Sequence, residues 1–182
     1  GGFSGGGGAG GDGVLVLGGN GTITNVGMIS GGAGGAAGSG ASGSAANGAG
    51  GTGVNLAGSN NILLNAGTIT GGAGTGGGIG VVTRGGNTIT NAGLIIGAQT
   101  GAGGVRAAAI EFGGTGNLLN LLTGSAILGN LSFGAGATAT IAAQHTGLAL
   151  NNDVILGDAA AAVTFDTSTT GMTMAGVITG DR

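Results

Sequence analysis

The stretch GVLVLGGNGTITNVGMISGGAG at 13–34 comes back as GVNLAGSNNILLNAGTITGGAG at 53–74. A third copy, GVVTRGGNTITNAGLIIG at 80–97, is one residue shorter in its middle turn. No other feature constrains the fold as tightly. The sequence that follows each copy is glycine-rich and varies in length, running over 31–52 in one case and 71–79 in the other. The constant part is therefore a structural unit, and the glycine-rich part is an excursion from one of its corners. Repeats of roughly 20–50 residues mark solenoids and arrays, in which each unit completes its core only against its neighbours.

Inside the unit the apolar residues alternate with period two. In Thr22-Ile23-Thr24 and Thr88-Ile89-Thr90 the isoleucine points one way and both threonines the other, and Ile29, Ile69 and Ile95 take the same inward place in the next segment. Alternation over three to five residues, bounded by Gly and Asn, predicts short strands. Three such strands joined by tight corners and repeated in parallel make one coil of a β-helix. The sequence thus predicts an all-β, right-handed parallel β-helix, a β-solenoid with glycine-rich excursions.

The corners carry their own pattern. Asn25, Asn65 and Asn91 share one repeat position, and Asn20, Asn60 and Asn87 are aligned at a second. Asn tolerates left-handed backbone geometry, and stacked amides can bond the coils above and below. Gly27, Gly67 and Gly93 follow two positions after the first set, where a sharp corner is expected to need positive φ.

Glycine is so abundant, 52 of 182 residues with no proline, that disorder must be weighed. Disordered chains are rich in charge and poor in aliphatics. Here 5% of residues are charged and 41% hydrophobic, and the aliphatics are periodic, so an ordered thin core is expected. The cations are Arg84, Arg106 and Arg182, and the net charge is −3, so the basic stripe that nucleic-acid binding requires is missing. No apolar run approaches the roughly 20 residues of a membrane span. The chain divides into a glycine-rich lead-in at 1–12, coils with long excursions at 13–104, and a continuation with short corners at 105–182. It is expected to be an internal piece of a longer protein.

From Val105 the register is expected to change. Ile110 and Phe112 face inward with Glu111 outward, and Leu118, Leu119, Leu121 and Leu122 suggest an apolar pair of strands. The excursion at 31–52 holds scattered Gly-x-x triplets that permit a polyglycine-like extended strand. Because glycine loses most entropy on ordering, this excursion is expected to be a loosely held flap.

Candidate chemistry is sparse. GGAGGDGVL at 7–15 fits the calcium nonapeptide pattern, with Asp12 as carboxylate, but the equivalent GGAGTGGGI at 71–79 has no Asp, and such a site needs stacked copies. His145 is the only histidine, in the polar corner AAQHTG, without the partners a zinc site needs. Asp153, Asp158 and Asp166 are candidates to approach one another on successive coils, as the paired carboxylates of glycosidases do. They lack aromatic and basic neighbours, and acidic corners that keep a neutral surface soluble are the better account. Threonine arrays of the ice-binding kind are interrupted, since Ile62 and Leu64 stand where the flanking copies have Thr22/Thr24 and Thr88/Thr90. No catalytic, cofactor-binding or metal-binding residue is assigned, no cofactor is expected, and the chain is read as a non-enzyme.

The units GNTITNAGLIIG, GSAILGNLSFGAGATATIAA and MTMAGVITGD resemble the β-helical passenger region of bacterial autotransporters. The resemblance spans 13–180 and implies a cell-surface or adhesin-type role, exported to the bacterial surface or beyond, with no catalytic residue carried over. The expected function is a structural or adhesive stalk. Two alternatives are an extracellular filament subunit built by solenoid stacking and a polysaccharide-acting enzyme. Residues 13–83 hold no charged residue, so the usual electrostatic guard against sticking is missing. The main expected partner is a second copy, with host or neighbouring-cell surfaces as further candidates.

Overall fold

The computed structural model describes residues 5–40, 43–101, 104–168 and 171–180, and no described residue is in an α-, 3₁₀- or π-helix. The alternating segments form three stacked parallel sheets. Sheet I runs Val14–Val16, Val54–Leu56, Val81–Thr83, Ile110–Phe112, Leu131–Phe133, Val154–Leu156, Ile178–Gly180. Sheet II runs Thr22–Asn25, Ile62–Asn65, Thr88–Asn91, Asn117–Leu121, Thr138–Ala143, Ala162–Asp166. Sheet III runs Met28–Ser30, Thr68–Thr70, Leu94–Ile96, Ala126–Leu128. Each of the first four coils contributes one strand to each sheet in turn, so strands adjacent in space belong to successive coils. The fold is a parallel β-solenoid, with coils spaced about 4.8 Å apart as in any β-ladder.

The inward columns follow the sequence alternation. Leu63, Ile89, Leu119 and Ile141 stack beneath sheet II, and Ile69 and Ile95 beneath sheet III, each fully buried. Burying such a side chain stabilises the fold by about 1.5–3 kcal/mol. Phe112 and Phe133 are register partners in sheet I, with ring centroids 4.8 Å apart and planes tilted by 34°. The register expected to change at Val105 instead runs on, with Ile110 beside Val81 and Phe112 beside Thr83. The leucine-rich segment makes one strand, Asn117–Leu121, and Leu122 opens the next corner.

Sheet III breaks after Ala126–Leu128. Leu148–Leu150 and Met172–Met174 pair only with each other. The corner from sheet II to sheet III holds two residues in the first three coils, as in Ala66–Gly67, but four in the next two, Leu122–Ser125 and Gln144–Gly147. At the break, the Asn152 amide donates to the carbonyls of Ile127 and Gly129, at 2.9 and 2.8 Å. A side chain thus bonds two backbone groups beside the missing rungs.

The excursions are not loose flaps. They leave from the one corner between sheets III and I, and their bonds recur every third residue. Gly7, Gly10 and Gly13 donate to Ala46, Ala49 and Thr52, at 3.1, 2.8 and 2.8 Å. Gly32, Gly35 and Gly38 donate in the opposite sense to Gly11, Gly8 and Gly5, at 2.7, 2.7 and 2.9 Å. Gly48 and Gly51 then donate to Gly35 and Gly32, and Gly72 and Thr75 to Gly51 and Gly48. A period of three is that of the extended threefold helix, whose backbone groups point sideways in three directions and are free to bond neighbours. The glycine segments therefore form a side-by-side array attached to the solenoid, and the Ser39–Gly40 and Gly43–Ser44 pair reverses the longer one.

Close approach is what requires glycine here. A Cβ on Gly34, Gly48, Gly51 or Gly72 would land on the carbonyl of Gly48, Gly8, Gly11 or Gly32 respectively. The exposed rows of the same helices carry Ala9, Ala33, Ala46, Ala49 and Ala73. Glycine occupies the rows in closest contact, and these alanines stand on rows that face solvent.

Candidate functional site

Two asparagine columns brace the corners. Asn25 Nδ2 donates to Asn65 Oδ1 at 2.8 Å, and Asn65 Nδ2 to Asn91 Oδ1 at 2.7 Å. All three residues are buried, and the column ends where Asn91 Nδ2 meets Ser125 Oγ at 2.7 Å, because Leu121 occupies the next position. This is the ladder expected from the repeat. The glycines beside it work otherwise than expected, since Gly27, Gly67 and Gly93 do not have positive φ. A Cβ on Gly67 would meet the carbonyl of Gly27, and one on Gly93 that of Gly67, so stacking distance and not backbone twist selects those two, while the Gly27 position is open.

The second column is shifted by one residue from the expected alignment. Asn20 and Asn60 are left-handed, with φ of 61° and 59°, but Gly86 takes that role in the third coil with φ of 65°. Asn87 lies instead beneath Asn61, whose backbone N–H donates to Asn87 Oδ1 at 2.8 Å. The residue missing from the third copy lies before Asn87, not after it. The repeat alignment does not include Asn61 and Asn117 in this column; the available signal is an Asn at the start of the sheet II strand in the second, third and fourth coils.

The acidic candidates do not converge. Asp153, Asp158 and Asp166 fall within a single circuit of the chain, at three separate corners, and not one above another on successive coils. Each carboxylate accepts from backbone N–H groups, of a neighbouring coil, of its own corner, or of both. Asp153 accepts from Val177 N–H at 2.9 Å, and Asp166 from Ser168 N–H at 3.0 Å. Asp158 accepts from Gly136, Ala160 and Ala161, at 3.0, 3.1 and 2.8 Å. The Asp12 carboxylate accepts from Thr52 N–H at 3.2 Å and Asn55 Nδ2 at 2.9 Å. His145 is half-buried in its corner, with Nδ1 3.0 Å from its neighbour's carbonyl, that of Thr146. Among the described residues, no three His, Cys, Asp or Glu side chains gather as a metal site would require.

The Asp158 caps have a pH consequence. The Gly136 N–H, with help from those of Ala161 and Ala160, holds its carboxyl below the usual range despite an opposing effect of burial. The Ser168 hydroxyl and then its N–H do the same for Asp166. A folded pKa below the unfolded one gives stability that is present above the ordinary carboxylate value of 3.8 and is lost as pH falls through the lowered value. Asp158→Asn keeps an acceptor but cannot titrate, so its melting temperature should fall less steeply than the parent's below pH about 4. Parallel melting curves across that range would remove Asp158 from the account.

The surface depressions are shallow, and one of about 330 Å³ at the break in sheet III has Asp153 as its one acidic lining residue. One of about 420 Å³ lies between the glycine array and the next excursion, where the Thr75 hydroxyl donates to the carbonyl of Asn47 at 2.9 Å. Another, of about 190 Å³, follows the first asparagine column and is lined by Thr24, Leu64, Ala66, Thr90, Ala92 and Leu122. No titratable side chain lines either of these two. Comparison with family models, with curated proteins and with solved structures finds no match to this chain. Its class therefore rests on geometry alone, as a parallel β-solenoid. Among the described residues no helix is long and apolar enough to cross a membrane.

Proposed function

We propose that this chain is a structural or adhesive stalk segment of an extracellular or bacterial-surface protein, of the autotransporter-passenger kind, and that its main partner is a second copy of itself. The observation that carries this reading is the uncharged face of the first coils. From Gly13 to Thr83 no residue is charged, and Leu17, Val26 and Met28 are 76%, 81% and 76% exposed. On the second coil Ile62 and Leu64 also point outward from sheet II. Exposed apolar groups without flanking charge mark contact surfaces, and β-rich surfaces left so unguarded adhere to one another.

Contacts of this kind do not depend on ion pairs, so raising salt screens nothing that holds them together. Sedimentation of the chain should show association that persists from low to high salt. Ile62→Glu combined with Leu64→Glu adds charge on the outward face without touching the core, and should return the chain to monomer. A parent that sediments as a clean monomer at every salt and concentration overturns the self-association reading.

A further inference from the structure

The corner between sheets I and II is polar inside. Gly21, Asn61, Asn87 and Asn117 lie in register down it, the first three immediately before their sheet II strands and Asn117 as the first residue of its own. Asn61 and Asn87 are wholly buried and Asn117 is 2% exposed. Each amide oxygen accepts from a backbone N–H one coil earlier: Gly21 to Asn61 at 2.8 Å, Asn61 to Asn87 at 2.8 Å, Asn87 to Asn117 at 3.2 Å. These donors fix the amide orientation, because a flipped amide would set N–H₂ against N–H.

The nitrogens differ. Asn117 Nδ2 donates to the carbonyl of Gly113, four residues back, at 3.0 Å, and to that of Arg84 at 3.3 Å. Asn61 Nδ2 and Asn87 Nδ2 have no protein partner. The residue four back from Asn87 is Thr83, whose hydroxyl is also buried and without a partner. Thr83 stands in the inward column of sheet I between Leu56 and Phe112, a short polar side chain between two larger hydrocarbon ones. Two amide donors and one hydroxyl are thus left over on two adjacent coils at one corner.

We infer that this corner is a binding site for internal water, which accepts from Asn61 Nδ2 and Asn87 Nδ2 and shares a hydrogen bond with the Thr83 hydroxyl. Buried polar groups are seldom left unmet, and bridging water is the ordinary way of meeting them. The ligand must accept from two amides, so it carries lone pairs. It must also be neutral, because the amides and hydroxyl here bear no charge to balance a buried anion. Water satisfies both demands and can donate as well as accept. The site would lock the third coil, whose corner is the short one, to the second.

A high-resolution crystal structure of the chain, with water–amide NOE measurements in solution, tests this. The expected result is ordered density within hydrogen-bonding distance of the three atoms and a long-lived water seen by NOE. Thr83→Val keeps the shape but removes the hydroxyl, so it should lose that water and lower the melting temperature, while Thr83→Ser should keep the water. A dry corner in the parent structure overturns the inference. So does a Thr83→Val chain that melts higher than the parent, since that is what deleting a truly unpaired hydroxyl would do.

Discussion

Asn65→Leu should be among the most destabilising single substitutions in the chain, although leucine is nearly the same size and more apolar. Asn65 is 3% exposed and stands mid-column, accepting from Asn25 at 2.8 Å and donating to Asn91 at 2.7 Å. Its Nδ2 also lies 3.3 Å from the carbonyl of Leu94. Leucine would leave the Asn91 oxygen without its donor and the Asn25 amide with only the Thr68 carbonyl, at 3.2 Å. Each buried group so stranded costs about 1–3 kcal/mol. Chemical denaturation should show a fall in midpoint at unchanged slope. Leu121 already ends the column in the fourth coil, so extending the ladder there is not essential, whereas keeping it unbroken at Asn65 is. A midpoint unaffected by Asn65→Leu would mean that the column contributes nothing to stability.

The second large effect is expected from the same substitution made at two glycines, with opposite signs. Gly72 is buried in the glycine array, donates to Gly51, and has the carbonyl of Gly32 where its Cβ would go. Because the obstacle is backbone, a methyl there forces two helices apart, and overpacking of this kind costs about 1–3 kcal/mol or more. Gly11 also belongs to the array, yet nothing lies within 4 Å of its Cβ position and its φ is not positive. Gly11→Ala should therefore stabilise by about 0.4–1 kcal/mol, through the unfolded chain alone. Thermal melts of the two variants decide the matter. Equal shifts of one sign would show that the array is not packed as described.

The coils were legible in the sequence because side chains encode them. Ile23, Leu63 and Ile89 alternate with outward residues in a way only a half-buried strand requires, and Asn25, Asn65 and Asn91 recur at one place because amides must meet amides. The alignment of Asn87 was misread because a one-residue deletion can sit on either side of it without changing any pattern of polarity. Only the bond from Asn61 N–H tells the two apart. The glycine array was harder still, since backbone binds backbone there and the sequence records only where a Cβ is forbidden. The alanines on the solvent rows then interrupt the triplets and disguise the period. Asp153, Asp158 and Asp166 were placed on successive coils for want of a count of residues per circuit; once corners shorten, all three fit into one turn of the chain.

The threefold array gives the excursions a phase that the coils do not have. Each residue added to one arm rotates everything beyond it by about 120° about that arm's axis. One extra residue before Ala33 or Ala49 would swing a methyl group from the solvent row into a row where carbonyls of the next helix already lie. Three extra residues would restore every row and lengthen the arm by about 9 Å. In a paired excursion the opposite arm must grow by the same whole turn to keep its bonds. Drift in the length of these segments is therefore quantised, and a lineage could vary how far the array reaches from the solenoid while leaving the coils beneath untouched.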